Sequence, residues 1–284
     1  MTHSSKLHIR KPAVAGQFYP GDRSTLINML DEFFASVEKS HIKIDDHISG
    51  LIAPHAGYVY SGIQAAKAYQ NLKNKTYQCV CIISPSHREY FSAISVYSGV
   101  AYRTPLGICP VDEKARMIAL ECKGFISGME GHGAEHALEV QLPFVQYLLG
   151  NIPILPLVMG DQGIKSIEEA RECIRKLYEA YGKDILFIAS SDLSHFHDSH
   201  TAKNMDGEFI ALLEKTDTEK IIEKIRSNDL EACGVGPIIA ILKGLDINKE
   251  HIKVLGYSHS GELMNDHDSV VGYTSALILK NPKE

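Results

Sequence analysis

Ile48-Ser49-Gly50-Leu51-Ile52-Ala53-Pro54-His55-Ala56-Gly57 is an apolar run of strand length that stops on a proline, a histidine and a glycine. Two further stretches repeat the arrangement. Gln78 to Ile83 runs into Ser84-Pro85-Ser86-His87, and Ile185 to Ala189 runs into Ser190-Ser191-Asp192-Leu193-Ser194-His195. Continuous apolar runs suit strands buried on both faces, as in the parallel sheets of α/β proteins. The carboxyl ends of such strands open on one crevice, where residues distant in sequence meet. The three polar tails are read as walls of one site.

The rest of the chain alternates in the same way. Strands are expected at Ala93 to Tyr97, Ile154 to Val158, Ile252 to Tyr257 and Val270 to Leu279. Helices are expected over Ile63 to Leu72, Asp112 to Leu120, Ser166 to Tyr181 and Met205 to Leu213, and after Gly236-Pro237 over Ile238 to Leu242. Leu138, Leu142, Val145 and Leu149 form an apolar stripe over His136 to Leu149, which Pro143 should kink or divide. Alternating strands and helices, with no repeat or linker, predict one α/β domain over residues 1–284, a mostly parallel or mixed sheet flanked by helices.

Composition excludes several functions. A net charge of -6 and a pI near 6.2 argue against nucleic acid as partner, which needs a concentrated basic face. No apolar stretch approaches the roughly 20 residues of a membrane span, and Met1 to Ala15 lack the apolar centre of a secretion signal. Six cysteines without a CxxC pair fit a reducing, cytoplasmic setting. Cys79 and Cys81, two apart in a strand, read as buried small hydrophobes.

Imidazole is the commonest metal ligand at neutral pH, and a catalytic metal takes about three protein ligands. His55, His87 and one more would suffice. Cys233, just ahead of the Gly236-Pro237 helix start, is the thiol that a helix N-terminus would favour as thiolate. It could ligate a metal, or act as a nucleophile with His195 as base and Asp192 orienting the ring. His132-Gly133-Ala134-Glu135-His136 has its acid in the wrong place for HExxH. Glu135, His136 and Glu139 are read as opening a helix, with one of them reaching the pocket, and His197, Asp198 and His200 as solvated loop. No dinucleotide, P-loop or GxSxG pattern is present.

Pro12-Ala13-Val14-Ala15-Gly16-Gln17-Phe18-Tyr19-Pro20, Ala53 to Tyr58, Ser84 to His87, Thr104-Pro105-Leu106-Gly107, Glu135 to Glu139, Ser191 to His195 and Ala232-Cys233-Gly234 together resemble the Memo family, whose prokaryotic members are named as protein B of the AmmeMemoRadiSam system. The resemblance implies a fold similar to class III extradiol, non-haem iron dioxygenases. It also implies a metal pocket of His55, His87 and Cys233, with Asp192 and His195 in acid/base roles. From the residues themselves, Tyr58, Ser86, Glu135 and His136 are expected to flank the ligands or line a substrate pocket. Where the dioxygenases carry a carboxylate, a thiolate softens the site, so iron or copper is expected, with zinc as a further option.

Three functions follow. The first is a metal-dependent oxidoreductase, dioxygenase-like, with His195 moving protons. The second is a non-enzymatic module that binds a small molecule or a phosphotyrosine-type peptide, helped by Arg88 and Arg103. The third, least favoured, is hydrolysis through Cys233, His195 and Asp192.

Overall fold

The computed structural model describes residues 8–37 and 47–280; the first seven residues of the stretch read for a leader lie outside it. The strands are β1 (Ile9–Arg10), β2 (Ile48–Ala53), β3 (Cys79–Pro85), β4 (Ile94–Tyr97), β5 (Ala101–Thr104), β6 (Gly107–Pro110), β7 (Phe125–Gly128), β8 (Ile154–Met159), β9 (Ile185–Ser190), β10 (His195–His197), β11 (Ile252–His259) and β12 (Val270–Leu279). The helices are α1 (Arg23–Val37), α2 (Tyr58–Tyr69), α3 (Glu113–Leu120), α4 (Leu142–Leu149), α5 (Ile164–Tyr181), α6 (Ser199–Glu214), α7 (Thr218–Arg226), α8 (Val235–Gly244) and α9 (Gly261–Met264).

The main sheet runs β10-β12-β2-β9-β3-β8-β4-β7, with β11 also paired to β12. Its centre, β2, β9, β3 and β8, is parallel, and β4 and β12 close it antiparallel on either side. The sheet is thus mixed, as expected. A second sheet, β1-β5-β6, stands apart.

Period-two alternation in the central strands feeds two cores. In β3, Cys79, Cys81 and Ile83 face one core, and Val80 and Ile82 the other. The two thiols are buried hydrophobes, as read, and burial pushes both above the usual range. Helices α3, α5, α6 and α8 cover the first core; α1, α2 and α4 cover the second.

Several expected boundaries move for local reasons. The helix read over His136 to Leu149 is a 3-10 turn, Glu139–Gln141, followed by α4, in whose first turn Pro143 sits. A missing N–H costs nothing there, so the proline starts the helix instead of dividing it. Helix α6 begins well before Met205 because Asp198 caps it, accepting from the N–H groups of His200 and Thr201 at 3.0 Å each. The solvated loop read at His197 to His200 is therefore a strand end, a cap and a first turn. Helix α2 begins at Tyr58, five residues before the expected start.

Because β2, β9, β3 and β8 are parallel neighbours, their carboxyl ends share one edge. His55 leaves β2 there, His87 leaves β3, Asp192 leaves β9 and Gln162 follows β8.

Candidate metal centre

Serine 190, the last residue of β9, sets the first ligand. Its hydroxyl donates to the Ala137 carbonyl at 2.6 Å, which commits its one proton. Its oxygen then accepts from Gln141 Nε2 at 2.8 Å and from His55 Nδ1 at 2.9 Å. His55 accordingly carries its proton on Nδ1 and turns an Nε2 lone pair toward the crevice. Burial, and then the neighbouring His87 and His136 rings, hold its pKa well below the ordinary value, so it stays neutral. A neutral imidazole is the metal-binding form.

Glu135 sets the second and third. Its carboxylate accepts the His87 N–H at 2.5 Å, His87 Nδ1 at 3.0 Å and the N–H groups of His136 and Ala137 at 2.9 and 3.0 Å. Burial would raise its pKa, but the His136 and His87 contacts outweigh that and hold it well below the carboxylate range. An ionised acceptor puts the His87 proton on Nδ1 and leaves Nε2 free. His136 Nδ1 comes within 3.1 Å of the same carboxylate without hydrogen-bond geometry. Ring packing places His136 instead, tilted against Phe18 at 4.7 Å and stacked on His87 at 4.9 Å.

One ring nitrogen from each of His55, His87 and His136 lies within 4.8 Å of the other two. Three imidazoles, two of them hydrogen-bonded from behind at Nδ1, fit a metal ion. Side-chain exposure of 2%, 30% and 15% respectively shows that the crevice opens on the His87 side.

The expected third donor, Cys233, sits beside this trio. Its Sγ lies 3.0 Å from His55 Nε2. His136, read as a flanking residue, joins the imidazoles instead. Two features oppose a thiolate here. Burial, and then the Asp192 carboxyl, push the Cys233 thiol well above its ordinary value. The N-terminal donors of α8 are also spent elsewhere: Gly234 N on Ser191 Oγ at 2.9 Å and Gly236 N on Gln162 Oε1 at 2.8 Å, while Pro237 has none. The sulfur instead accepts the Asp192 N–H at 3.1 Å.

Asp192 Oδ1 accepts the His55 N–H at 2.7 Å, and burial raises its carboxyl. His195 donates from Nδ1 to the Leu193 carbonyl at 2.8 Å, which leaves Nε2 as a free acceptor. The imidazole next to the Cys233 sulfur is His55, as in the metal reading, and not His195, the base of the nucleophile reading. Ser86 closes a turn, its hydroxyl donating to Glu89 O at 2.6 Å. Tyr58 is a core residue: its hydroxyl donates to Val140 O at 2.6 Å and its ring packs on Tyr19 and Phe144.

Sequence reading missed the residues that hold these parts in place. Glu139, expected in a helix start, is fully buried and accepts from Arg10 Nη1 at 2.6 Å, Ala13 N at 2.7 Å, Val14 N at 3.1 Å and Tyr19 Oη at 2.6 Å. Arg10 also donates to the carbonyls of His132, Gly133 and Glu135. Together they clamp the Pro12–Pro20 stretch and the loop carrying Glu135 and His136. Glu231 binds both the His195 N–H and His197 Nε2 at 3.0 Å. For Glu139 and Gln141 a signal existed: polar residues alternating with Leu138, Val140 and Leu142.

Two predictions arise here. A Cβ on Gly234 would lie 2.2 Å from the Ser190 carbonyl oxygen, a backbone atom. Gly234→Ala is expected to cost about 2–3 kcal/mol by overpacking, read as a lower urea midpoint. The second concerns pH. Burial pushes His132 down to about 3 and holds His55 well below its ordinary value. Histidine in the unfolded chain titrates near 6.5, so as pH falls the unfolded state takes up protons first. Stability is full above about pH 6.5 and falls toward pH 3, with His132 contributing on the order of 4 kcal/mol. Asp192 and Asp206, whose carboxyls burial raises, offset part of the loss at the acid end. Urea midpoints across this range should decline, and less steeply in His132→Gln.

Comparison with known proteins agrees with this architecture. The family profile described as Memo-like protein matches residues 10–277. A MEMO1 family protein of Methanosarcina barkeri is 38% identical over 275 residues, covering 95% of this chain and all of that protein. One from Methanobrevibacter smithii is 35% identical and one from Thermotoga maritima 33%, each covering 95% of this chain and 99% of its own length. The fold is shared with a crystal structure of an uncharacterized protein from Escherichia coli K12, at a TM-score of 0.54 and 13% identity, covering 81% of this chain and 99% of that one. With the profile spanning almost every described strand and helix, and the relatives matching along nearly their whole lengths, this chain belongs to the Memo-like family.

Proposed function

We propose that this protein is a metal-dependent oxidoreductase in which His55, His87 and His136 hold a redox ion, iron or copper before zinc, with Cys233 as the further donor beside His55. The observation that carries the reading is the backing of two ring nitrogens: Ser190 and Glu135 put the protons of His55 and His87 on Nδ1, turning two lone pairs inward. Imidazole donors suit iron, copper and zinc alike, and a thiol within reach favours copper. When bound, such an ion supplies an electron couple and a coordination position for substrate.

The chain's own residues do the rest. His195, with Nε2 free, accepts a proton from a ligand in the crevice, and Asp192 fixes the His55 backbone. The ligand class is a small organic molecule entering on the His87 side. A reducing, cytoplasmic setting, drawn from six unpaired cysteines, belongs to the same proposal. Among the described residues no helix is long and apolar enough to cross a membrane.

A second reading, capture of an anionic peptide without turnover, draws on Arg88, exposed directly after His87 at the mouth, and on Arg103, exposed on β5. Metal content by mass spectrometry, on protein purified without an affinity metal, separates the two. Near-stoichiometric iron or copper, lost in His55→Ala, supports the oxidoreductase. A protein that stays metal-free after reconstitution with each ion refutes it and leaves the binding reading.

A further inference from the structure

Gln162 lies in the short link between β8 and α5, on the same sheet edge as the imidazoles. Its amide uses both ends on one target: Nε2 donates to the Cys233 carbonyl at 2.8 Å, and Oε1 accepts the Gly236 N–H at 2.8 Å. The opposite side of the same turn is tied to the β9 link, through Cys233 N to Asp192 O at 3.2 Å and Gly234 N to Ser191 Oγ at 2.9 Å. The turn carrying the thiol is thus suspended between two parallel strand ends. The glutamine is also packed: a Cβ at Gly236 would meet its side-chain atoms at 2.9–3.0 Å.

We propose that Gln162 is the positioning residue for Cys233: its two-ended amide bridge holds the turn so that the sulfur stays against His55 Nε2. No other side chain described here binds both ends of that turn from β8. The bridge satisfies a carbonyl and a helix N2 donor that would otherwise be left unpaired at a buried helix start. The geometry stands without a metal. Its consequence for ligation rests on the metal reading above.

The protein carries its own reporter. Five of its six cysteines are buried and Cys233 alone is partly exposed, so alkylation of the folded chain reads that thiol. Iodoacetamide labelling of the full-length, metal-free protein, with the modified peptide located by mass spectrometry, is the experiment. Gln162→Met keeps the length of the side chain and removes both hydrogen bonds. At about 1 kcal/mol each, the loss of both should open the turn and speed labelling about thirtyfold.

Gln162→Glu keeps the acceptor for Gly236 but loses the donor to the Cys233 carbonyl, so its labelling at pH 8 should also exceed that of wild type. Urea midpoints are measured alongside: faster labelling at an unchanged midpoint marks a local opening of the turn, which general destabilisation would not give. Gln162→Met labelling within twofold of wild type, or faster labelling only with a fallen urea midpoint, overturns the assignment. A parallel run with added zinc tests the other reading separately. Failure of zinc to slow labelling of the wild type counts against Cys233 as a zinc donor, while the metal-free rates still decide on Gln162.

Discussion

Glu139→Gln lowers the unfolding free energy by about 3–5 kcal/mol, the largest stability effect expected of a single change here. The substitution keeps shape and removes charge. Arg10, with side-chain exposure of 4%, is then left buried without its carboxylate, and the Ala13, Val14 and Tyr19 donors face a weaker acceptor. A loss of that size is a large share of the 5–15 kcal/mol typical of folded proteins. The effect also reaches the site, because Arg10 holds the carbonyls of the loop that delivers Glu135 and His136. Denaturant unfolding of Glu139→Gln, Arg10→Met and the double variant separates the causes. The double variant should recover part of the loss, since the uncompensated charge is gone. It should not recover all of it, since those carbonyls stay unpaired. A Glu139→Gln cost under 1 kcal/mol would show that the clamp contributes little.

His136→Ala abolishes tight metal binding, and this change distinguishes the observed three-imidazole group from the expected pairing of two histidines with Cys233. Altering a partner behind a ligand weakens metal binding by about 10–100-fold, the effect expected of Glu135→Gln. Removing a ligand should exceed that. Competition against a chromophoric chelator then ranks the variants. If His136 is the third donor, His136→Ala falls with His55→Ala and His87→Ala, and Cys233→Ser retains more affinity than any of them. The reverse order, with Cys233→Ser among the weakest and His136→Ala near wild type, would restore the thiol as third donor. Both variants remove small parts of a rigid edge, so matched urea midpoints are the control.

Strand existence was legible because β3, β8 and β9 are buried on both faces and leave near-continuous apolar runs. Convergence of His55 and His87 was legible from the same fact, since parallel strands share one carboxyl edge. Helix α1 carried a readable signal in Leu26 and Leu30, four apart and both buried, yet no helix was assigned there. The start of α6 was obscured by Asp198, whose capping bonds run to its own backbone neighbours and look, in sequence, like any polar loop.

What the sequence determined by itself was local and periodic: the class of fold, its central strands and the edge on which the polar tails emerge. Which third residue faces His55 and His87 was decided only by tertiary structure. His136 reaches them on an irregular loop with no period to read. It is placed there by a carboxylate, the stacked ring of His87 and a buried ion pair whose partners, Arg10 and Glu139, stand 129 residues apart. Cys233, equally credible on paper, lies against His55, its thiol pushed above the ordinary range by burial and Asp192 while the start of α8 spends its free N–H groups on Ser191 and Gln162. Spacing in a sequence encodes the contacts a helix or strand repeats; it does not encode single long-range hydrogen bonds, and those bring the three imidazoles together.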